Sequence, residues 1–145
     1  MPLHLIKLCV GIDSIEALAR SDADELKVHR LARRRPELIH RTRQFPKRAK
    51  EILDGGCLYW VIKGFIQVRQ PIKALRVHAG DGGISYCDIV FGRELTPVRP
   101  TTRRAFQGWR YLQPEDAPPD LGASRTRLDA LPAAMRTALI ELGLV

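Results

Sequence analysis

Three features of the 145-residue chain predict an α+β fold. Segments rich in β-branched and aromatic residues outnumber the amphipathic ones. Glycine and proline fall at the junctions, where turns and helix caps favour them. Hydrophobic content of 45% and charged content of 28% are those of an ordinary globular chain with its own core. The expectation is one domain over residues 1–145. Its sheet is mixed or antiparallel, has five to six strands and curls toward a small barrel, with two to three flanking helices.

The elements follow in order. Leu3 to Val10 reads as a strand that ends at Gly11. A helix follows through "DSIEALARSDADELKVHRLARRR", capped by Asp13 or Ser14, with Glu16 supporting its first turn. "SDAD" is a point where it could divide, and Pro36 stops it. "ELIHRTR" suits a short strand. "FPKRAKEILDGG" suits a helix that starts near Pro46, caps at Gly55 or Gly56, and turns Ala49, Ile52 and Leu53 to the core. "CLYWVIKGFIQVRQPIKALRVHA" is strand sequence, with a bulge or tight bend at Gly64 and a break at Pro71. "GDGG" is a hairpin signal and "ISYCDIVF" its return strand. "ELTPVRPTTRRAFQGWRYL" reads as one extended strand. Residues 113–130 form a proline-rich acidic loop, and "LPAAMRTALIELGL" a final helix.

Motifs exclude several chemistries. No phosphate loop, GxSxG elbow or HExxH is present. His4, His29, His40 and His78 fall on separate elements, and Cys9, Cys57 and Cys87 form no CxxC pair, so no metal and no cofactor is expected. The cysteines read as small buried hydrophobes. Asp88, the acid within an apolar strand, should point outward. No apolar run reaches the roughly 20 residues of a membrane helix. "LHLIKLCVGI" is interrupted by Lys7 and lacks a basic leader, so it reads as a strand, and the expected location is cytoplasmic.

Charge points to a partner. The chain carries a net charge of +8. Residues 27–50 hold ten Lys/Arg against one acid, Glu37, and Arg93, Arg99, Arg103, Arg104 and Arg110 form a second group. Positive charge so concentrated repels itself unless a polyanion neutralises it. The candidate contacts are Lys47, Arg48, Lys63, Arg69, Arg103, Arg104 and Arg110 for phosphates. Tyr59, Trp109 or Tyr111 would stack on a base, and Gln70 or Gln107 would read its edge. Strand parity puts Leu58, Trp60 and Ile62 on one face and Tyr59, Val61 and Lys63 on the other. The aromatics of "RRAFQGWRYL" can equally be core residues.

"LHLIKLCVGIDSIEAL", "FPKRAKEILDGGCLYWVIKGFIQVRQPI" and "RRAFQGWRYLQPEDAPPDL" resemble segments of a bacterial family catalogued as domain of unknown function 1489. The resemblance spans nearly the whole chain and implies no mechanism. Cys57 stands where the family pattern suggests serine, which speaks against a catalytic role there. A helix ending in glycine before a strand of a small basic barrel is also similar to PUA-like and ASCH domains. Those bind RNA or modified nucleosides, and the enzymatic members use a Lys, a Thr and a Glu. The strand here, "CLYWVIK", has neither Thr nor Glu.

The expected function is therefore a nucleic-acid-binding module, with RNA the expected partner, or a nucleotide-binding one, with a basic, aromatic-containing cleft. One alternative is a small enzyme acting on a nucleotide or phosphorylated metabolite through Lys47 or Lys63, for which a cleft position beside a carboxylate would be needed. Another is an adaptor for an acidic protein. No catalytic residue is identified.

Overall fold

A computed structural model describes residues 2–121. The predicted C-terminal helix and the end of the acidic loop lie outside these residues. The fold is α+β, and its sheet is mixed and seven-stranded. In chain order the elements are β1 (His4–Leu8), α1 (Ile15–Leu31), β2 (Leu38–Thr42), α2 (Ala49–Leu53), β3 (Cys57–Ile62), β4 (Phe65–Ala79), β5 (Ser85–Phe91), β6 (Thr96–Thr102) and β7 (Trp109–Leu112).

Local chemistry explains most boundaries. The Ser14 hydroxyl accepts the Ala17 N–H at 3.0 Å and opens α1. The helix runs unbroken through "SDAD", because Leu18, Asp22 and Leu26 share its buried stripe. Helix α2 starts at Ala49, three residues beyond Pro46, so proline does not occupy its first turn. Ile52 is fully buried, Ala49 is half-buried and Leu53 is exposed. The chain then passes Gly55, at φ +94°, into Gly56. A side chain at Gly56 would collide with the carbonyls of Leu3 and Ile52, so glycine is required where α2 meets the start of β1.

The β3–β4 hairpin turns on Lys63 and Gly64, at φ +49° and +81°. Two left-handed central residues are what a tight hairpin with right-handed strand twist needs. The irregular pairing falls between Trp60 and Val61, so Gly64 is the turn rather than a bulge. Strand β4 continues through Pro71 for 15 residues. Gly82 and Gly83 then reverse the chain into β5, as the hairpin signal predicted.

The strand order is β2-β5-β4-β3-β1-β7, with β6 also on β4. Strands β1 and β3 are parallel and the other pairs antiparallel. The Ile72 N–H points to Gly56 ahead of β3, whereas the Pro71 carbonyl accepts from Gly92 after β5. Strands β5 and β6 therefore follow one another along the same edge of β4, separated by Gly92–Leu95. The expected single strand across residues 94–112 is two strands: β6 pairs with β4 and β7 with β1. Gly108, at φ +69°, ends the excursion between them.

The sheet curls but does not close, so the expected barrel is not formed. Its edge strands β2 and β7 share no ladder. The Trp109 indole N–H donates to the Gln44 carbonyl at 2.8 Å across the gap. Strand β7 pairs its four residues with β1.

Two apolar clusters result. The concave face holds Leu5, Leu58, Trp60, Val68, Ile89 and Phe91 under Leu18 and Leu26 of α1. The opposite face holds Ile6, Tyr59, Val61, Ile66 and Val98. Over it runs the segment after β7, with Pro118 buried and Asp120 bridged to Val98. All six residues of β3 are consequently buried. Burying an apolar side chain completely is worth about 1.5–3 kcal/mol, so covering the second face is a major stabilising contribution.

Candidate functional site

The expected site residues divide into three groups. Tyr59, Arg69 and Gln70 are committed to the fold. Tyr59 is 4% exposed and packs edge-on against His4 at 5.0 Å, and burial pushes its hydroxyl up to about 12. Arg69 binds both oxygens of Asp120, at 2.9 and 2.8 Å, and reaches the Cys57 thiol at 3.2 Å. Gln70 has no exposed surface. It accepts the Trp60 indole N–H at 2.8 Å and donates to Asp22 at 2.9 Å and to the Gly92 carbonyl at 3.0 Å. Asp88 faces away from the concave core, opposite to Cys87 and Ile89. It is nevertheless buried, because Arg41 grips both its oxygens and His78 stands 3.7 Å away.

A second group lies around the β7 edge. Trp109 is buried with its indole N–H satisfied, and Tyr111 stands edge-on to it at 4.9 Å. The Tyr111 hydroxyl accepts the Arg48 N–H at 3.2 Å, and the Arg48 guanidinium lies 5.7 Å over its ring. Arg48 also pairs with Glu51 through two bonds, at 2.6 and 2.8 Å. Lys47 stands in solvent and forms no ion pair with a described carboxylate.

The third group forms a basic rim at the end of the sheet where β1 and β3 finish. The Arg103 N–H donates to the Gly64 carbonyl at 2.9 Å, which brings Arg103 and Arg104 beside Lys63. Half-buried Phe106 carries two guanidinium groups near its ring, Arg103 at 5.8 Å and Arg110 at 5.4 Å. Arg110 also donates to the carbonyls of Gln107 and Trp109, at 2.8 and 3.1 Å. Lys63, Arg103, Arg104, Gln107 and Arg110 are exposed, and none of the four cations pairs with a described carboxylate.

Beside the rim is a cleft that sequence reasoning missed. It encloses about 180 Å³ between α1, β1 and β2, and Trp60 and Phe91 form its apolar walls. Pairing sets Lys7 between Trp60 of β3 and Trp109 of β7. Its ammonium donates to the Gly108 carbonyl at 3.5 Å, next to the rim, and burial lowers its pKa. His40 of β2 packs edge-on against Trp60 at 5.6 Å. Burial, helped by Lys7, pushes His40 down to about 4, so it is neutral at pH 7. Burial raises the Asp22 carboxyl, opposed by its bond from Gln70. Burial and then Asp22 push the Cys9 thiol up to about 12, which leaves it un-ionised and a poor nucleophile. The cleft thus sets a cation at its mouth, a carboxyl deeper in, and an aromatic wall. A partial signal was present in the sequence: Lys7 has the same strand parity as Leu3, Leu5 and Cys9, although the opposite parity, with Ile6 and Leu8, is apolar as well.

His40 offers a direct check. Its ring protons should titrate near pH 4 by NMR, not near 6.5 as a free imidazole does. Because the folded state resists protonation, His40 stabilises fully above about pH 6.5. That contribution is lost as pH falls toward 4. A midpoint near 6.5 would mean that water fills the cleft and solvates the ring.

Among the described residues, no group of three or more His, Cys, Asp or Glu could hold a metal, and no helix is long and apolar enough to cross a membrane. A curled, open α+β sheet with a basic rim beside an inner polar cleft defines the architecture. Residues 5–145 match the family described as "Protein of unknown function (DUF1489)", and the chain belongs to it. No curated protein and no solved structure matches, so the likeness to PUA-like domains gains no support.

Proposed function

We propose that the protein is a single-stranded nucleic-acid-binding module, with RNA as its ligand. Phosphates lie across Lys63, Arg103, Arg104 and Arg110, and one base enters the cleft between Lys7 and Trp60. The observation that carries this reading is the pair of guanidinium groups converging on Phe106 without a described carboxylate. Like charges held together in this way favour a bound anion, and forked guanidinium donors suit phosphate. The burial of Tyr59 and Trp109 shifts base contact from those rings to the cleft walls. There Lys7 can donate to a base carbonyl and Asp22 can accept from a ring or amino N–H.

The enzymatic alternative draws less support from Lys47 and Lys63, since both stand in solvent and neither pairs with a described carboxylate. Lys7, by contrast, lines a cleft.

Anisotropy with labelled single-stranded RNA and with duplex DNA, across a salt series, tests the proposal. Four phosphate contacts on a single strand predict a log–log slope of about −3. Quenching of tryptophan fluorescence should accompany binding if a base reaches Trp60. Failure to bind RNA even at low salt would remove this function.

A further inference from the structure

Away from the rim, two irregularities in the sheet meet. The edge of β4 is served by β5 and then β6, and the ladder is broken between them at Gly92–Leu95. Opposite this break β4 itself bulges. Ile72 pairs with Phe91 and Ala74 with Val90, leaving Lys73 unpaired between them. A bulge re-aims the side chain of its extra residue. The Lys73 stem here lies over Gly92, where a Cβ would stand 3.0 Å from the Lys73 Cε and 2.8 Å from the Pro71 Cγ. Glycine at 92 is what lets the lysine fold across the break.

The break opens into a cavity of about 350 Å³. The segment following α1 forms its far wall. Arg35, Lys73, Arg76 and Arg93 line it, with Leu26 and Phe91 among its apolar residues. Among the described residues its one lining carboxylate, Glu37, is already occupied: Arg76 donates to both oxygens, at 2.8 and 2.9 Å, and Arg35 lies at 3.3 Å. Glu94 reaches over Gly92, yet neither Lys73 nor Arg93 forms an ion pair with a described carboxylate.

We infer that this cavity is a second binding site, for a small phosphorylated molecule that carries a ring, of the mononucleotide class. Lys73 and Arg93, neither in an ion pair with a described carboxylate, match the charge of a phosphate dianion, and Arg93 acts on the Asp22 carboxyl only through space. The Glu37 carboxylate holds the Arg76 guanidinium in place, so less freedom is lost when it meets an anion. The apolar lining provides a surface for the ring, and the volume is in the range of small-ligand pockets. The site shares no residue with the rim, and among the described residues it shares Phe91 alone with the Lys7 cleft, so its cations are distinct from those of the proposed RNA contact.

Isothermal titration with AMP, adenosine and inorganic phosphate tests this. AMP should bind, and adenosine and phosphate should each bind at least about tenfold more weakly. Lys73→Glu/Arg93→Glu should lower AMP affinity by at least about tenfold. The milder Lys73→Ala/Arg93→Ala should act in the same direction, and both should leave the melting temperature unchanged and lower RNA affinity far less than Arg103→Glu/Arg110→Glu does. Arg103→Glu/Arg110→Glu should leave AMP binding intact. The inference is overturned if AMP does not bind, or if the folded Lys73/Arg93 variants bind it as well as the native protein. It is also overturned if phosphate alone binds as tightly as AMP, or if only rim variants abolish AMP binding.

Discussion

Replacing Gln70 with leucine should destabilise the protein by about 3–5 kcal/mol, among the largest effects available to a single change. Gln70 is fully buried and holds together three groups from distant parts of the chain: the Trp60 indole, the Asp22 carboxyl and the Gly92 carbonyl. Leucine nearly fills the same volume, so little cavity forms. It satisfies none of the three, and each buried polar group left without a partner costs about 1–3 kcal/mol. The loss should appear as a fall in melting temperature of roughly 10–20 °C in thermal denaturation. Asp22 suffers most, because Gln70 donates the hydrogen bond that opposes the cost of burying its carboxylate. A Gln70→Leu protein within about 1 kcal/mol of the native one would mean that water reaches all three groups.

Arg103→Glu/Arg110→Glu should lower affinity for single-stranded RNA by at least roughly 100-fold at low salt. Two charge-assisted contacts, each worth about 1.5–3 kcal/mol, are lost, and two repulsive charges take their place. The log–log salt slope should become shallower by at least about one unit. Both side chains are exposed, and their contacts within the described fold are with the Phe106 ring and, for Arg110, two carbonyls. The melting temperature should therefore move far less than it does for Gln70→Leu. Unchanged RNA affinity in the folded double variant would end the assignment of phosphates to this rim.

The exposed arginines of the proposed rim were legible before any tertiary structure, whereas the burial of Tyr59, Gln70 and Trp109 and the Lys7 cleft were not, and these have a common cause. The arginines of "RRAFQGWRYL" stand exposed around Phe106, as their density suggested, whereas Trp109 of the same stretch is buried. Parity along a strand separates Trp109 from Arg110 but does not say which side is covered. Tyr59 shows the same ambiguity. Its face of β3 would have been open had the proline-rich segment after β7 not folded over it. Lys7 was visible as an interruption in an apolar run. Its importance arises from lying between Trp60 and Trp109, which are 53 and 102 residues away in the chain.

The amino-acid order alone determined the local conformations. Ser14 starts α1, Gly55 lets the chain leave α2, and the glycines of "GDGG" reverse the chain between β4 and β5. These outcomes rest on steric and hydrogen-bonding preferences of a few adjacent residues. It also determined membership of the family and the excess of positive charge. Tertiary structure decided which strands became neighbours, which sheet face was covered and which cations found carboxylates. Arg69 and Arg76 are tied to Asp120 and Glu37, whereas Arg103 and Arg110 meet at Phe106 without such a partner among the described residues. All of these charges look alike in one dimension. They are separated by contacts between residues far apart in the chain, which form only when the sheet curls and buries both faces of its central strand.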